Sequence, residues 1–398
     1  MRLAGLLFVV LLCSTPADAQ VFRKWRKNDR AKTSILDYTT SLYLTAPSGA
    51  ALCAGSAITT DQGAAITVTR ASAASCENSS GTVVQLANNI PAVETLGLRV
   101  EPSSSNRVAF SEVLDTNWTP TNATTGASRT APDGTSMTTL STTSAGGYYE
   151  SAAFTITATS AVASMWVAGA ASGTYAFVLR DTTAGADRCT ATGTPPASFT
   201  TMLARPSCNS SAIVSGNNHV LRAYPGGTAG SNTDIGFWGA QVEPSLTVKT
   251  TYIKTTGTAA TRAADNISTT IADINTTGCF SATFWSTVAA FPRSIATNPS
   301  TLAQYNNTVS MLANDGVNTA TSNSVSNMTD RDTTVRTVWG GSTFKIGLDG
   351  LQGTNQTFDG SMSGTTTLYI GSLSGTSRHF GGWIRNMKVS TDLNGCLP

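Results

Sequence analysis

Alternating hydrophobic and polar residues are the dominant pattern in this chain, and they predict β-strands. Residues 174–181 (TYAFVLRD) place Tyr175, Phe177 and Leu179 on one face of such a strand. No segment that follows the N-terminal leader shows a helical period. Runs of Thr, Ser, Asn and Gly separate the alternating segments, as in β-sandwiches. The other alternating segments are residues 152–158, 233–243, 279–288, 343–350, 366–373 and 381–390. The pattern predicts an all-β protein.

Changes in composition divide the chain into modules. A Pro/Ser-rich stretch follows residue 101, and a Thr/Gly-rich stretch, TTYIKTTGTAATRAAD, ends at residue 265. The predicted modules are a small β module at 33–105, a middle module at 106–265 and a C-terminal module at 266–398. The tripeptide Thr-Arg-Ala occurs at 69–71 and again at 261–263. We interpret the first copy as part of a strand and the second as part of a connector, and neither as a binding site.

The N-terminus has the features of a secretory signal at residues 1–19. Arg2 precedes the apolar run Leu6–Leu12, and Ala17-Asp18-Ala19 offers a cleavage site. Seven apolar residues are too few to span a bilayer, which needs about 20. Leu12 disfavours lipidation of Cys13, because that modification follows a small residue. We therefore predict a secreted or cell-surface protein without a transmembrane segment, and leave its oligomeric state open.

Charge is sparse, and this argues against nucleic-acid binding. Charged residues make up 12% of the chain, which carries a formal net charge of +2. Nucleic-acid binding requires clustered basic residues. The one basic cluster lies in the predicted arm at 20–32 (VFRKWRKNDRAK over 21–32), and its alternatives are a contact with an anionic surface or a solvated tail.

Six cysteines remain after the signal, and a sequential pairing is the simplest for an exported chain. It gives Cys53–Cys76, Cys189–Cys208 and Cys279–Cys396, one bridge in each predicted module. Metal binding by these cysteines is disfavoured, because the chain has no Cys-x-x-Cys motif and no adjacent pair of histidines.

Several motifs resemble a known family. Residues 63–83 (GAAITVTRASAASCENSSGTV), 94–124 and 131–135 (APDGT), followed by WGAQVE, TYI and TRAAD, are similar to segments of phage tail-fibre-type and bacterial surface proteins. The resemblance implies a jelly roll similar to carbohydrate-binding modules at 106–265. FKIGLDG, TLYIGSL and RHFGGWIRNMKVS likewise imply a concanavalin-like or laminin-G-like sandwich at 266–398. The signal and the paired cysteines depart from the phage relatives and indicate export.

No motif for catalysis is present, and we predict a protein that is not an enzyme. The chain lacks His-Glu-x-x-His, Gly-x-Ser-x-Gly and the phosphate-binding Gly-x-x-x-x-Gly-Lys. Glycoside hydrolysis needs two carboxylates that flank a cleft. Glu101 and Glu243 lie in predicted strands at the ends of modules, where a structural hydrogen-bonding role is favoured.

Exposed aromatic residues are the candidate ligand-binding groups, because apolar sugar faces stack on aromatic rings. Trp166 and Trp238 are assigned to the core, and Tyr148 and Tyr149 must point to opposite faces of a strand. Trp118 lies in a loop-like segment. The candidates are Trp118, Tyr148, Tyr149, Trp285 and Trp339.

Calcium is the candidate cofactor, with Asp133, Asp315 and Asp349 as candidate ligands. Ordinary Asp-Gly turns are the alternative at all three positions. The sequence thus predicts a non-catalytic, lectin-like protein that binds cell-surface or extracellular glycans. The alternatives are a structural or adhesive appendage protein, and an accessory to, or a divergent form of, a polysaccharide-degrading enzyme.

Overall fold

A computed structural model of the protein describes residue 53, most of residues 65–391, and residue 396. The internal residues that are not described are 170–172, 203, 272–275, 288–293, 299, 306–309, 316, 326, 354, 359–361, 363–366, 374–376 and 378. The predicted signal and basic arm lie outside the described residues. All described residues belong to one unit, Thr40–Pro398.

The described chain is all-β, as the alternation predicts, with a single helical turn. The first part of the chain contributes six strands: β1 (Ile66–Thr69), β2 (Ala74–Glu77), β3 (Val83–Leu86), β4 (Val93–Glu94), β5 (Gly97–Val100) and β6 (Ser104–Asn106).

The middle of the chain forms the elements of the predicted jelly roll. They are α1 (Leu114–Asn117), β7 (Thr119–Thr121), β8 (Ala123–Thr130), β9 (Ser136–Thr142), β10 (Tyr148–Glu150), β11 (Phe154–Thr155), β12 (Ala161–Ala168), β13 (Tyr175–Asp181), β14 (Ala186–Gly193), β15 (Ser207–Ser210), β16 (Asn218–Tyr224) and β17 (Gly236–Pro244). A sheet of six strands, β14-β13-β16-β10-β7 with β11 on β16, packs with a β15-β12-β17 sheet around a common core.

The last part of the chain forms most of the second sandwich. Strand β18 (Ala260–Arg262) pairs with β6 in a separate two-stranded sheet. The strands that follow are β19 (Asn266–Thr270), β20 (Gly278–Ser286), β21 (Ser294–Asn298), β22 (Ser300–Tyr305), β23 (Met311–Asn314), β24 (Thr319–Thr321), β25 (Asp332–Gly340), β26 (Thr343–Leu348), β27 (Leu351–Gln352), β28 (Gln356–Thr357), β29 (Thr367–Ile370) and β30 (Gly382–Ser390).

Two antiparallel sheets enclose the core of this C-terminal sandwich. One has the order β1-β19-β29-β21-β22-β23-β24, and the other has the order β27-β26-β25-β20-β30-β5-β4, with β28 on β26. Strands β1 and β5 come from the predicted small module at 33–105, yet Ile66 and Val100 pack in the same core as Phe284. The segment before residue 106 therefore supplies strands to both sheets of this sandwich.

The predicted face of β17 is wrong at one position. Strict alternation along residues 233–243 would place Trp238, Ala240 and Val242 on one side, but Gly239 has a φ of 66°, and the pairing of β12 with β17 shifts its register there. Ala240 and Val242 face the main jelly-roll core, whereas Trp238 packs with Trp166 in a separate cluster. The bulge moves one residue to the other face. Both tryptophans are buried, which confirms their assignment to the core.

The structure contains all three predicted disulfides, Cys53–Cys76, Cys189–Cys208 and Cys279–Cys396. The last of these joins the second sandwich across 117 residues. In the chain-entropy model, which is disputed, a loop of this length contributes about 5 kcal/mol. The bridge thus fixes Cys396 beside β20.

A buried charge cluster lies where the two Thr-Arg-Ala segments meet. Its members, all at most 8% exposed, are Arg70, Arg99, Arg262, Glu94, Glu101 and Asp265. Arg70 Nη1 lies 2.8 Å from Asp265 Oδ1, and Arg262 Nη1 lies 3.3 Å from Asp265 Oδ2. The arginines of the two copies therefore share one carboxylate. The connector is a structural part of the fold.

Candidate functional site

A cleft of about 680 Å³ lies over the eight-stranded sheet, on the face turned away from the core. Eight of its fifteen described lining residues have polar or cationic side chains, although apolar atoms contribute the larger share of its surface. Its lining residues are Ser281, Ala282, Thr283, Thr334, Arg336, Val338, Lys345, Ile346, Gly347, Gly350, Leu351, Gln352, Asn386, Lys388 and Cys396. We call it the sheet cleft.

Alternation along the strands sends these side chains outward. In β25, Thr333, Val335 and Thr337 are buried, whereas Thr334 and Arg336, on the opposite parity, are exposed or half-buried. In β26 the same rule buries Phe344 and Ile346 and turns Lys345 outward. The apolar parity supplies the sandwich core, and the polar parity supplies the wall of the cleft.

Strand register sets polar side chains side by side across the cleft. Lys388 of β30 lies opposite Ser281 of β20, which lies opposite Arg336 of β25. Gly347 of β26 follows in the same row. Lys388 and Arg336 are therefore two strand spacings apart, about 10 Å. Gly347 leaves this end of the row without a side chain. No larger residue fits there, because a Cβ would lie 2.1 Å from the Leu351 carbonyl oxygen.

Two hydrogen-bond contacts join polar groups of the described lining. Lys345 Nζ donates a 2.9 Å hydrogen bond to Gln352 Oε1, and the hydroxyls of Thr283 and Thr334 are 3.3 Å apart. Partial burial lowers the pKa of the Arg336 guanidinium, although an arginine stays charged at neutral pH. The described lining contains three cationic residues and no acidic one.

A second cleft, of about 380 Å³, contains the predicted ligand-binding residue Trp285. Met202, Lys249 and Thr250 line it together with Trp285 and Asp330. Burial, together with Arg205 and Arg99, lowers the pKa of Lys249 to about 8. Trp285 is half-buried and faces away from Phe280 and Phe284, as its position in the alternation predicts. It is one of two predicted aromatics that keep an accessible part.

Three of the five aromatic candidates lie in the core, and these predictions are wrong. Trp118, Tyr149 and Trp339 are 4%, 1% and 0% exposed. Trp118 follows α1, packs in the jelly-roll core and donates its indole Nε1–H to the Phe110 carbonyl oxygen at 3.0 Å. The polar residues around Trp118 suggest a loop, but the helical turn before it directs the ring inward.

Tyr148 is the other accessible candidate, and it lies on the outer face of the six-stranded jelly-roll sheet. Its ring centroid is 5.1 Å from that of Tyr224, and the Arg222 guanidinium lies 4.4 Å from the Tyr148 ring centroid. Arg222 Nε is in turn 2.6 Å from Glu150 Oε2. A sugar that stacked on Tyr148 would have to displace the arginine from the ring.

The carboxylates of the three aspartates proposed for calcium already accept hydrogen bonds within the protein. Asp133 Oδ1 accepts hydrogen bonds from the Thr135 amide and hydroxyl, and Asp315 Oδ1 accepts from the amides of Val317 and Asn318. Asp349 accepts from the Thr334 amide and from Arg331. Across the described residues, no group of three or more His, Cys, Asp or Glu side chains is arranged to hold a metal ion.

The two glutamates assigned a structural role are buried acceptors. Glu101 accepts hydrogen bonds from the amide and hydroxyl of Thr251, at 2.9 and 2.5 Å. Glu243 accepts from the Ser104 hydroxyl at 2.7 Å and from the Thr250 amide at 3.0 Å. Both carboxylates tie the connector to the strands before it. This contact pattern confirms the hydrogen-bonding assignment.

None of the ligand-binding residues predicted from the sequence lines the sheet cleft, although the strand pattern contains a signal for it. Lys345 and Lys388 lie in strands that the alternation predicts, on the parity opposite to Phe344, Ile346 and Val389. Parity therefore indicates that both lysines face outward. Only the strand order places them with Arg336, because β25 lies between β26 and β20, and β30 follows β20.

Comparisons with known proteins give distant structural likenesses. No protein-family model matches the chain, and no curated protein matches it. A solved structure of the Ruminococcus gnavus IT-sialidase CBM40 bound to α2,3-sialyllactose has a TM-score of 0.26 and 13% identity, and covers 30% of this chain and 77% of its own.

A structure of mouse laminin α1 chain domains LG4-5 also has a TM-score of 0.26, with 14% identity, covering 59% of this chain and 84% of its own. Likeness at this level carries no argument about ligands. The tail-fibre part of the resemblance has no support from these comparisons. Within the described residues, no helix is long and apolar enough to cross a membrane.

Proposed function

We propose that this chain is a non-catalytic, exported protein that binds glycans, and that the sheet cleft is its binding site. The observation that carries the proposal is a cleft of about 680 Å³ whose exposed strand residues present hydroxyl, amide and cationic groups in register. Ligand sites have volumes of about 300–1,000 Å³ and a few placed polar groups.

The chemistry of the lining suits a polyhydroxylated ligand. Ser281, Thr283 and Thr334 offer hydroxyls that both donate and accept hydrogen bonds, and Asn386 and Gln352 offer amides with both functions. Neighbouring strands hold these groups on a rigid sheet, which limits the entropy lost on binding.

Export is supported by the three disulfides, because such bonds persist in oxidising compartments outside the cytosol. The predicted signal at 1–19 is consistent with the same location. For the chain as a whole we propose a lectin-like role without catalysis. Calcium is proposed only as an optional cofactor.

A glycan array with the purified chain, followed by isothermal titration of the best ligand, tests the proposal. Ser281→Tyr places a ring in the centre of the cleft, and we expect it to weaken binding at least about tenfold by steric exclusion. Thr124→Tyr is the matched control, because Thr124 is an exposed strand residue of the jelly roll.

Absence of binding to every glycan on the array would refute the proposed function. Binding that Ser281→Tyr left unchanged would refute the cleft as the site. In that case Trp285→Ala and Tyr148→Ala would distinguish the two partly exposed aromatic positions from each other.

A further inference from the structure

We infer that the second cleft, around Trp285, is a separate subsite for a neutral sugar residue, which stacks on the Trp285 ring and forms hydrogen bonds with Lys249 and Asp330. We call it the junction cleft, because residues from both sandwiches line it. This inference rests on the proposed function and adds a second contact between the protein and a glycan.

Distant parts of the chain meet in the junction cleft. Met202 belongs to the connection between β14 and β15, Lys249 to the segment after β17, and Trp285 to β20. Asp330 lies beside β20, because its amide donates a 2.9 Å hydrogen bond to the Ser286 carbonyl oxygen. The folded chain therefore brings an aromatic ring, an ammonium group and a carboxylate to the lining of one cleft.

An ion pair separates the junction cleft from the sheet cleft. Thr283 lines the sheet cleft, and Trp285 is the next outward residue of β20, about 7 Å along the strand. Arg385 lies opposite Thr283 on one side of β20, and Asp332 lies opposite Trp285 on the other side. The side chains of Arg385 and Asp332 form an ion pair across β20. The two clefts are therefore neighbours on one strand but separate sites.

Trp285 supplies the aromatic surface that the described lining of the sheet cleft lacks. Its indole is half-buried and lines a cleft of about 380 Å³. This volume is near the lower end of the range for ligand sites, about 300–1,000 Å³, and suits a mono- or disaccharide. The apolar face of a sugar ring can pack on the accessible part of the indole, while polar groups around the ring bind its hydroxyls.

Lys249 and Asp330 are available to bind those hydroxyls. Among the described residues, neither side chain has a hydrogen-bond or ion-pair partner. The Lys249 ammonium donates hydrogen bonds and the Asp330 carboxylate accepts them, so sugar hydroxyls, which do both, can satisfy both groups. Hydrogen bonds to a charged group are roughly twice as strong as those between neutral groups. These two residues can therefore orient the sugar on the ring.

The charges that line the junction cleft favour a neutral sugar over an anionic one. The charged lining residues are Arg99, Lys249 and Asp330. Arg99 already forms ion pairs with Glu101 and Glu94, and Lys249 and Asp330 have opposite signs. Ligands are concentrated electrostatically by a cleft that has an excess of one sign of charge. This lining has no such excess, so a uronic acid gains no advantage over the neutral sugar.

The test titrates the full chain with single sugars. The probes are the methyl glycosides of glucose, galactose, mannose, N-acetylglucosamine and glucuronic acid, at concentrations up to about 20 mM, which covers weak binding. Isothermal titration measures their binding to the parent chain and to Ser281→Tyr, in which the sheet cleft is filled. We expect at least one neutral glycoside to bind Ser281→Tyr as well as it binds the parent. The glucuronide should bind no more tightly than the glucoside.

Substitutions in the Ser281→Tyr chain locate this binding. Trp285→Ala removes the ring and should weaken binding at least about tenfold, whereas Trp285→Phe keeps a ring and should retain most of it. Lys249→Met and Asp330→Asn should each weaken binding at least about fivefold, because each removes a charged hydrogen-bonding group. Tyr148→Ala is the control for the loss of an accessible ring, and Lys345→Met is the control for the loss of a lysine.

The outcomes distinguish this inference from the proposed function. If the parent chain binds array glycans but Ser281→Tyr binds no glycoside, the inference is overturned and the proposed function stands. Unchanged binding in both Trp285→Ala and Asp330→Asn would overturn it as well, and Asp330→Asn changes only an exposed residue, so the fold is not at risk. Binding of the glucuronide more than about tenfold tighter than the glucoside would overturn the neutral class. No binding of any glycoside or array glycan would defeat both proposals.

Discussion

The buried charge cluster and the sheet cleft each contain three cationic residues, but the surroundings of these cations differ. In the buried charge cluster, Arg70, Arg99 and Arg262 lie among three carboxylates at the junction of the connector with both sandwiches. In the cleft, Arg336, Lys345 and Lys388 lie on an open sheet face, and the described lining has no carboxylate.

Desolvation explains the difference. An ion that is withdrawn from water needs a partner of opposite charge, because an unpaired buried charge costs several kcal/mol. An ion at a wetted surface needs none, since water solvates it. The cluster therefore uses its charges to join distant segments of the chain, whereas Arg336, Lys345 and Lys388 are only half-buried and keep contact with water.

The largest expected effect is on stability, at Asp265. Its carboxylate lies between Arg70 and Arg262 and also accepts the Glu101 amide hydrogen bond at 2.9 Å. Asp265→Ala should lower the free energy of unfolding by about 3–5 kcal/mol, because it leaves buried guanidinium groups without their partner. Urea unfolding measures this loss.

Asp332→Ala is the control, because the Asp332–Arg385 pair is a surface ion pair and should contribute less than about 1 kcal/mol. Similar losses at Asp265 and Asp332 would contradict the contrast between buried and surface charge.

The next effect is on the pH dependence of stability, at Glu101. Burial disfavours its charged form, but Arg262, Arg99 and Thr251 outweigh burial and lower the pKa of Glu101 to about 2 from an ordinary value of 4.5. Because the folded-state pKa is the lower one, the stabilisation is complete above pH 4.5 and is lost as the pH falls towards 2. The loss is on the order of 3 kcal/mol.

Glu101→Gln should therefore be less stable at neutral pH and should show a flatter decline between pH 4.5 and 2. Glu94→Gln is the control, since burial raises the pKa of Glu94, in spite of the nearby Arg99, and its titration acts in the opposite direction. Thermal unfolding across this pH range measures both. If stability declined as steeply with falling pH in Glu101→Gln as in the parent chain, the titration of Glu101 would not be the cause of the decline.

Substitutions in the cleft should show the reverse behaviour, with a small effect on the free energy of unfolding and a large effect on ligand binding. Lys345→Gln with Lys388→Gln should change the free energy of unfolding by no more than about 0.5 kcal/mol, as is usual for surface substitutions. Urea unfolding provides the measurement. A loss of several kcal/mol would mean that these lysines serve the fold, and the comparison with the buried charge cluster would fail.

The smallest expected effect follows calcium removal. Asp133 and Asp315 already accept hydrogen bonds from backbone amides of their own turns, and Asp349 accepts one from the Thr334 amide of β25. We therefore expect chelation by EDTA to leave the thermal midpoint and glycan binding unchanged. A lowered midpoint that added calcium restored would support a metal site, and Asp133→Asn, Asp315→Asn and Asp349→Asn would locate it.

Much of the fold could be predicted from short-range pattern. Alternation predicts β13, β20, β26 and β30 because one sheet face must be apolar to be buried, and this constraint is local. The order of the cysteines predicts the three bridges, because each bridge joins two cysteines that follow one another along the chain. The prediction for Trp118 fails because the direction of its side chain depends on the turn before it and on the core that receives it.

The sequence by itself determined the all-β class, the strands, the three disulfides, and the parity that turns Lys345 and Lys388 away from the core. Only the tertiary structure decided which strands are neighbours. It thereby decided which charged residues form the buried charge cluster and which line the sheet cleft. Arg70 and Asp265 are 195 residues apart in the chain, and strand order brings Arg336, Lys345 and Lys388 to the same sheet. The physical reason is that alternation specifies which face of a strand is buried, whereas long-range pairing specifies which strand lies beside it.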